Sequence, residues 1–277
     1  MKCATSSLHH YLDLHPEVAM SRRKELNFFL SEAPLPPLLT ERSSRLRGLE
    51  WYRSNFDPTA SVRGESSVAY SFPWQHGVAE RIAAEVEAPR FIYCVRDPIE
   101  RALSHHRQFA QRDRRPPATA LAEPANPYLQ ASRYATAVAP FLRRFGRERV
   151  LIVDQAALRE RRNETIESIY NFIGVNPGFR SPDFEQQRNV SAGKGARFRV
   201  AEGLRSSGPT AALAARIGPR ARQAVERRLR SATEPAAAPR LPPELQTQLL
   251  VELEDEITAI EVLTGWDLRR WRQPGER

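Results

Sequence analysis

The sequence predicts an α/β fold, a parallel sheet flanked by helices, forming one domain over residues 1–277. Two runs, FIYCV at 91–95 and VLIVD at 150–154, are apolar up to the closing Asp154 and rich in β-branched or aromatic residues, as strands buried on both faces are. Each leads into a segment with helical periodicity, so strands and helices alternate. At 277 residues the chain is long enough for one large core.

In chain order, residues 5–15 read as a helix with Leu8, Tyr11, Leu12 and His15 on one side and Pro16 as its stop. PLPPLLT at 34–40 is a linker. Residues 44–56 are helical, with Leu46, Leu49, Trp51 and Tyr52 apolar, and 75–87 form an amphipathic helix. After the first buried strand, Pro98 suits the opening turn of a helix. Residues 113–127 read as a loop and 128–145 as one helix. After the second strand comes a helix over 163–173. Residues 181–203 read as irregular, and helices follow at 210–232 and 243–263 around a Pro/Ala-rich break at 234–243.

The charged fraction, 27%, is ordinary, and no run of apolar residues is long enough to span a bilayer. The chain as given reads as soluble and cytoplasmic. Two cysteines, Cys3 and Cys94, make neither a disulfide framework nor a zinc site, and no metal is expected. A net charge of +9 suits a polyanionic partner, whether nucleic acid, an anionic glycan or a nucleotide with several phosphates. Of 42 basic residues only Lys2, Lys24 and Lys194 are lysines, which marks them as positions where a compact ammonium is needed in place of a guanidinium fork.

Two segments have the makings of an anion site. Lys2-Cys3-Ala4-Thr5-Ser6-Ser7-Leu8 offers a lysine, small residues that permit close approach, and three hydroxyls at a helix N-terminus. It lacks the order of a Walker A loop, and Thr-Ser-Ser before a helix also reads as a plain N-cap. The second is Arg96-Asp97-Pro98 through Ser104. Here an arginine stands at the C-terminal end of a strand, where open α/β sheets bind ligands, and Ser104 follows about two helical turns on. A surface pair of Arg96 with Asp97 or Glu100 is the alternative.

These segments resemble those of the sulfotransferases that use 3′-phosphoadenosine 5′-phosphosulfate (PAPS), in particular the bacterial and carbohydrate (heparan-type) branch. That family's phosphosulfate loop, K-x-G-T-T-S-L, stands here as KCATSSL, and its R-D-P-x-x-R-A-x-S segment as RDPIERALS. Similar stretches follow in order over nearly the whole chain: HPEVAMSRRKELNFF (15–29), LEWYRSNF (49–56), GESSVAY (64–70), SRY (132–134), IYNFIGV (169–175) and DLRRW (267–271). The resemblance implies a P-loop-like sheet. It also implies that Lys2, with Cys3, Ala4, Thr5, Ser6 and Ser7, holds the 5′-phosphosulfate, while Arg96 and Ser104 hold the 3′-phosphate. Lys2 would stabilise the charge on the leaving phosphate.

Glu25 matches the glutamate that acts as general base in the carbohydrate branch, although an ion pair with Lys24 or Arg22 is the alternative. Lys194, Gly195 and Arg197 resemble a late loop that closes on the cofactor or acceptor. The implied acceptor is a small molecule or a glycan, with no part for nucleic acid. Trp51, Tyr52, Trp74 and His76 either line an acceptor cleft or belong to the core. The rival readings are a P-loop-type nucleotide kinase and a non-catalytic polyanion-binding protein.

Ala4 and Ser6 depart from the family's Gly and Thr. An alanine is tolerable at position 4 provided that its φ is negative. In the family a buried strand runs directly into the loop, whereas here Met1 stands one residue before Lys2. The usual first strand is therefore missing. The expectation is that Met1 is internal to a longer protein or that this chain is compromised.

Overall fold

The computed structural model describes residues 2–32, 42–185 and 240–273, all within the compact unit formed by Met1–Gln186 and Arg240–Arg277. The chain opens with α1 (Thr5–Asp13), whose Leu8, Tyr11 and Leu12 are buried as their spacing predicts. It continues through β1 (Val18–Met20), α2 (Gly48–Arg53), β2 (Val62–Gly64), α3 (Val78–Glu85), β3 (Phe91–Val95) and α4 (Pro98–Phe109). Next come α5 (Pro117–Ala122), α6 (Pro127–Gln130), α7 (Tyr134–Phe145), β4 (Val150–Asp154), α8 (Gln155–Glu160) and α9 (Arg162–Ile173). Helices α10 (Pro243–Thr264) and α11 (Arg269–Arg272) complete it.

Every described strand pairing is parallel. β3 pairs β4 from Phe91 opposite Val150 to Val95 opposite Asp154, and β1 pairs β2 from Val18 opposite Val62 to Met20 opposite Gly64. The two ladders do not pair with each other, and no described strand precedes Lys2. They share one apolar cluster nonetheless. Cys3, Leu8, Tyr11 and Leu12 pack there with Val18 and Met20 of β1, Cys94 of β3 and Val153 of β4. Each fully buried side chain of this size stabilises the fold by about 1.5–3 kcal/mol, so this cluster holds the start of the chain onto both ladders.

Several of the matched motifs prove to be scaffolding for that start. Tyr170 donates its hydroxyl to the carbonyl of Tyr11 at 3.0 Å, tying α9 to α1. Gly174, at φ 81°, closes α9 in the left-handed conformation that glycine adopts without strain. His15 Nε2 donates to the Asn176 carbonyl at 3.0 Å, while its Nδ1 accepts from the Glu17 amide at 3.1 Å. In the closing DLRRW, Arg270 pairs with Asp154 at the end of β4 and Trp271 is buried 6.1 Å from the Tyr134 ring.

Three expectations need correction. Residues 113–127 contain a helix, α5, because Pro116 and Pro117 set the first turn and Ala120 and Leu121 are fully buried. The helix expected over 128–145 is two helices, interrupted where the buried Ser132 turns its hydroxyl to the Pro98 carbonyl at 2.9 Å. The N-terminal helix ends at Asp13, whose side chain accepts from the Met20 amide at 3.0 Å and so belongs to the turn into β1. The helix expected over 210–232 lies outside the described residues.

Candidate active site

The segment Lys2–Ala4 turns sharply into α1. Lys2 has φ 68° and Ala4 φ 62°, both left-handed, and backbone N–H groups around such turns converge on a concavity that suits an anion. Ala4 caps α1 without a side-chain acceptor. The first intrahelical bonds, from the Ser7 and Leu8 amides to the Ala4 carbonyl (2.9 and 3.0 Å), leave the N–H groups of Thr5 and Ser6 at the open end of the helix. Cys3 is buried against the core, so its contribution to the loop is its backbone.

The condition set for Ala4 is not met. Its φ is positive, and an L-residue with a Cβ in that conformation costs about 1–2 kcal/mol. We therefore expect Ala4→Gly to raise stability by about 1 kcal/mol in a denaturant titration, with the loop conformation retained.

Glu25 also lies in the left-handed region, at φ 61°, and Asn27 follows at φ 56°. Strain of this kind persists only where surrounding contacts over-determine the backbone. Those contacts come from the GESSVAY segment. The Glu25 amide donates to the Ser66 carbonyl at 2.9 Å, the Asn27 amide to Ser67 Oγ at 3.1 Å, and the Phe29 amide to the Tyr70 hydroxyl at 3.2 Å. Glu25 Oε2 accepts from the Val68 amide at 2.9 Å, and Oε1 from Lys24 Nζ at 2.7 Å.

The Lys24 ammonium also reaches Thr5 Oγ1, at 3.5 Å, so loop, lysine and carboxylate form one continuous group. The Lys24 pairing offered as the alternative for Glu25 is therefore present, and it brings Glu25 to the loop. Both side chains are partly exposed, so the pair itself contributes little stability, about 0–1 kcal/mol. On the other side of the loop His9 Nδ1 lies 3.0 Å from Ser66 Oγ. Burial, assisted by the Lys24 charge, lowers the His9 pKa from its ordinary value.

Arg96 stands at the end of β3 as expected. Asp97 caps α4, accepting from the Glu100 amide at 2.9 Å, with Pro98 at the first helical position. Tyr134 joins this corner to the loop, donating to the Arg96 carbonyl at 2.7 Å and lying 4.0 Å from Cys3 Sγ. The Arg96 guanidinium pairs with Glu100 at 2.6 Å, the surface pairing that was the alternative reading. Glu100 is well exposed, so an incoming phosphate can take over this arginine at small cost. Ser104 is 3% exposed inside α4, beside the buried Arg101, which donates to the Tyr128 carbonyl at 2.6 Å and to Ser132 Oγ at 3.3 Å. No recorded bond joins Ser104 to Arg96 among the described residues. Lys194, Gly195 and Arg197 lie outside those residues.

Of the four residues offered for a cleft, Tyr52 stacks on Phe28 at 4.7 Å and Trp74 packs on Phe72 at 4.6 Å, both as core. Trp51 carries Arg47 over its ring, and His76 is exposed.

Sequence reading gave no role to Glu65. Its carboxyl accepts from Ser67 Oγ at 3.5 Å, with the Tyr52 and Tyr70 hydroxyls near it, and lies close enough to Glu25 for the two charges to repel. Burial is the main cause that pushes its pKa from 4.5 to about 7, against the opposing pull of those hydroxyls. A glutamate between a glycine and two serines gives no sequence signal of such burial, which comes from α2 and the 68–71 turn packing over it.

The folded state thus holds the Glu65 proton more tightly than the unfolded state does. Its stabilising contribution is complete below about pH 4.5 and is lost as pH rises through about 7, a change on the order of 3 kcal/mol. Glu65→Gln should flatten that part of the stability–pH curve, measured by denaturant unfolding across the range.

A parallel α/β scaffold, a left-handed turn at a helix N-terminus and a carboxylate tied to that helix by a lysine thus come together in one place. The chain belongs to the sulfotransferase family, whose sequence profile matches residues 1–178. It is similar to the membrane-associated sulfotransferase kil1 of Dictyostelium discoideum, with 28% identity over 123 residues covering 42% of this chain and 24% of that protein. This chain thus matches about a quarter of that relative's length. The fold resembles the crystal structure of a sulfotransferase from Alicyclobacillus acidocaldarius at a TM-score of 0.64 and 24% identity, covering 98% of this chain and 95% of the other. Among the described residues no helix is long and apolar enough to cross a membrane.

Proposed function

We propose that this chain transfers a sulfuryl group from PAPS to an acceptor hydroxyl or amine, on a carbohydrate by preference, and needs no metal for it. The observation that carries the reading is the chain of contacts from Thr5 through Lys24 to Glu25, which sets a general base beside an anion-binding turn. The residues fit the donor. Left-handed Lys2 and Ala4, the hydroxyls of Thr5, Ser6 and Ser7, and the open end of α1 suit a 5′-phosphosulfate. Arg96, paired among the described residues with the exposed Glu100 carboxylate, suits a 3′-phosphate, with Ser104 as its proposed partner.

When bound, PAPS supplies the sulfuryl group and leaves as adenosine 3′,5′-bisphosphate. Lys2 then balances charge on the departing phosphate oxygens, and the N–H groups of Thr5 and Ser6 hold the phosphosulfate in line. Glu25 takes the proton of the attacking hydroxyl, with Val68 N–H and Lys24 fixing its two oxygens. Lys194, Gly195 and Arg197 are proposed to close over the donor.

Calorimetry tests the donor assignment against the nucleotide-kinase reading. Adenosine 3′,5′-bisphosphate should bind at least tenfold more tightly than ATP, because Arg96 recognises the 3′-phosphate. Equal affinities would remove Arg96 from the site.

A further inference from the structure

Helix α1 carries three polar residues at four-residue spacing, Thr5, His9 and Asp13, which lie along one face of it. Its buried residues, Leu8, Tyr11 and Leu12, take another face into the core. Each of the three polar residues contacts the chain at or just beyond the ends of β1 and β2. Thr5 Oγ1 accepts from Lys24 Nζ at 3.5 Å, His9 Nδ1 lies 3.0 Å from Ser66 Oγ, and Asp13 Oδ1 accepts from the Met20 amide at 3.0 Å.

The middle contact is the one that reaches Glu25 through fixed backbone. Ser66 uses its hydroxyl for His9 and its carbonyl for the Glu25 amide, at 2.9 Å. One residue therefore joins α1 to a backbone held at φ 61°, a conformation that relaxes unless neighbouring bonds fix it. The other two contacts are less direct. Lys24 reaches Thr5 through a long, partly exposed side chain, and Asp13 acts at Met20, well before Glu25.

Resting on the sulfotransferase reading above, we infer that His9 is a positioning residue for Glu25: through Ser66 it ties the helix that opens at the donor turn to the strained backbone that carries the base.

The chemistry of the pair suits the task. A serine hydroxyl both gives and takes a hydrogen bond, so the contact holds with either neutral tautomer of His9. Burial, with the Lys24 charge near it, favours the neutral ring. The link also sets a distance. Helix α1 begins at the turn proposed to hold the donor, and Glu25 is to take a proton from the acceptor. A slack connection between them would misplace the base against the reacting centre. The contact involves one side chain on α1 and one serine, so it can be removed without touching Lys2, Thr5, Lys24 or Glu25.

The test combines amide hydrogen exchange with turnover on the intact chain. His9→Leu removes the ring nitrogen and keeps apolar bulk, Ser66→Ala removes the hydroxyl and keeps the carbonyl, and His9→Asn keeps a nitrogen at the depth of Nδ1. In His9→Leu and Ser66→Ala the Glu25 amide should exchange about tenfold faster than in the wild type, with the Met20 amide within about twofold. His9→Asn should restore most of that protection. In each of the two damaging variants kcat should fall about threefold to tenfold, and the double variant should be no slower than the worse single one. Affinity for adenosine 3′,5′-bisphosphate should stay within about twofold of the wild type. In a Glu25→Gln background His9→Leu should cost no further rate, since its effect passes through that carboxylate. Wild-type exchange of the Glu25 amide in both variants, or an equal loss of rate in the Glu25→Gln background, would overturn the assignment. If the amide responds as expected but the wild type moves no sulfate, the positioning stands and the chemistry assigned to Glu25 falls.

Discussion

Lys2→Ala is expected to lower the rate of sulfuryl transfer about 10²–10³-fold, corresponding to about 3–4 kcal/mol of lost transition-state stabilisation. The reason is positional: Lys2 enters the turn at φ 68°, three residues before α1 begins, so on the proposed reading its ammonium and the helix dipole would act on the same oxygens. Charge on those oxygens grows as the sulfur–oxygen bond breaks, so the loss should fall on kcat more than on the affinity for adenosine 3′,5′-bisphosphate. Lys2→Arg should recover only part of the rate, since a planar fork does not substitute for a compact ammonium at a left-handed turn. Single-turnover transfer from labelled PAPS reads both variants. A rate for Lys2→Ala within a few-fold of wild type would remove Lys2 from the chemistry.

Glu25→Gln is expected to cost about 10²–10⁴-fold in kcat and to leave bisphosphate affinity nearly unchanged. Glutamine keeps an oxygen for the Val68 amide, so the segment remains anchored, but it cannot take a proton or pair with Lys24. The two variants therefore separate by readout. Lys2→Ala weakens leaving-group stabilisation and, to a smaller extent, bisphosphate affinity, whereas Glu25→Gln leaves that affinity intact and stops acceptor activation. If both lost affinity equally, the carboxylate would be holding the loop and nothing more.

The two long strands were legible because four or five consecutive apolar residues bounded by proline or charge have few other uses, and both boundaries match the structure. β1 and β2 were not, since three-residue strands such as VAM and VRG are too short to show a period and exist through their mutual pairing. The break between α6 and α7 was hidden because Ser132 is compatible with a helix until its hydroxyl finds Pro98 in another element. Around the site, the motifs singled out Lys2–Ser7, Glu25 and Arg96, and the structure joins Thr5 to Glu25 through Lys24 and Cys3 to the Arg96 carbonyl through Tyr134. The sequence alone could not reveal that Lys24 bridges Thr5 and Glu25, because that contact depends on the turn after β1. Nor could it reveal Glu65. Composition treats a glutamate as a solvated charge, and only the packing of Tyr52 and Tyr70 makes this one an exception.

The left-handed residues carry a similar lesson. Ala4, Glu25 and Asn27 all have positive φ without being glycine, and a sequence pattern alone allows for none of them. At Ala4 the family's glycine hinted at the conformation, and the alanine here accepts the strain. At Glu25 and Asn27 the strain is held by four bonds from the 66–70 segment, which is why the carboxylate and the loop meet.

On the proposed function, the turn at Lys2–Ala4 and the lysine-tethered Glu25 act together as a sulfuryl-transfer site. Incubating the chain with sulfur-labelled PAPS and a panel of glycans and small phenols tests it most directly, with released adenosine 3′,5′-bisphosphate quantified alongside. Label should appear on at least one hydroxyl acceptor, with released nucleotide in equal amount, and both should be lost in Lys2→Ala and Glu25→Gln. Label transfer that persists in both variants would contradict the proposal, as would a folded chain that binds the bisphosphate and moves no label to any acceptor.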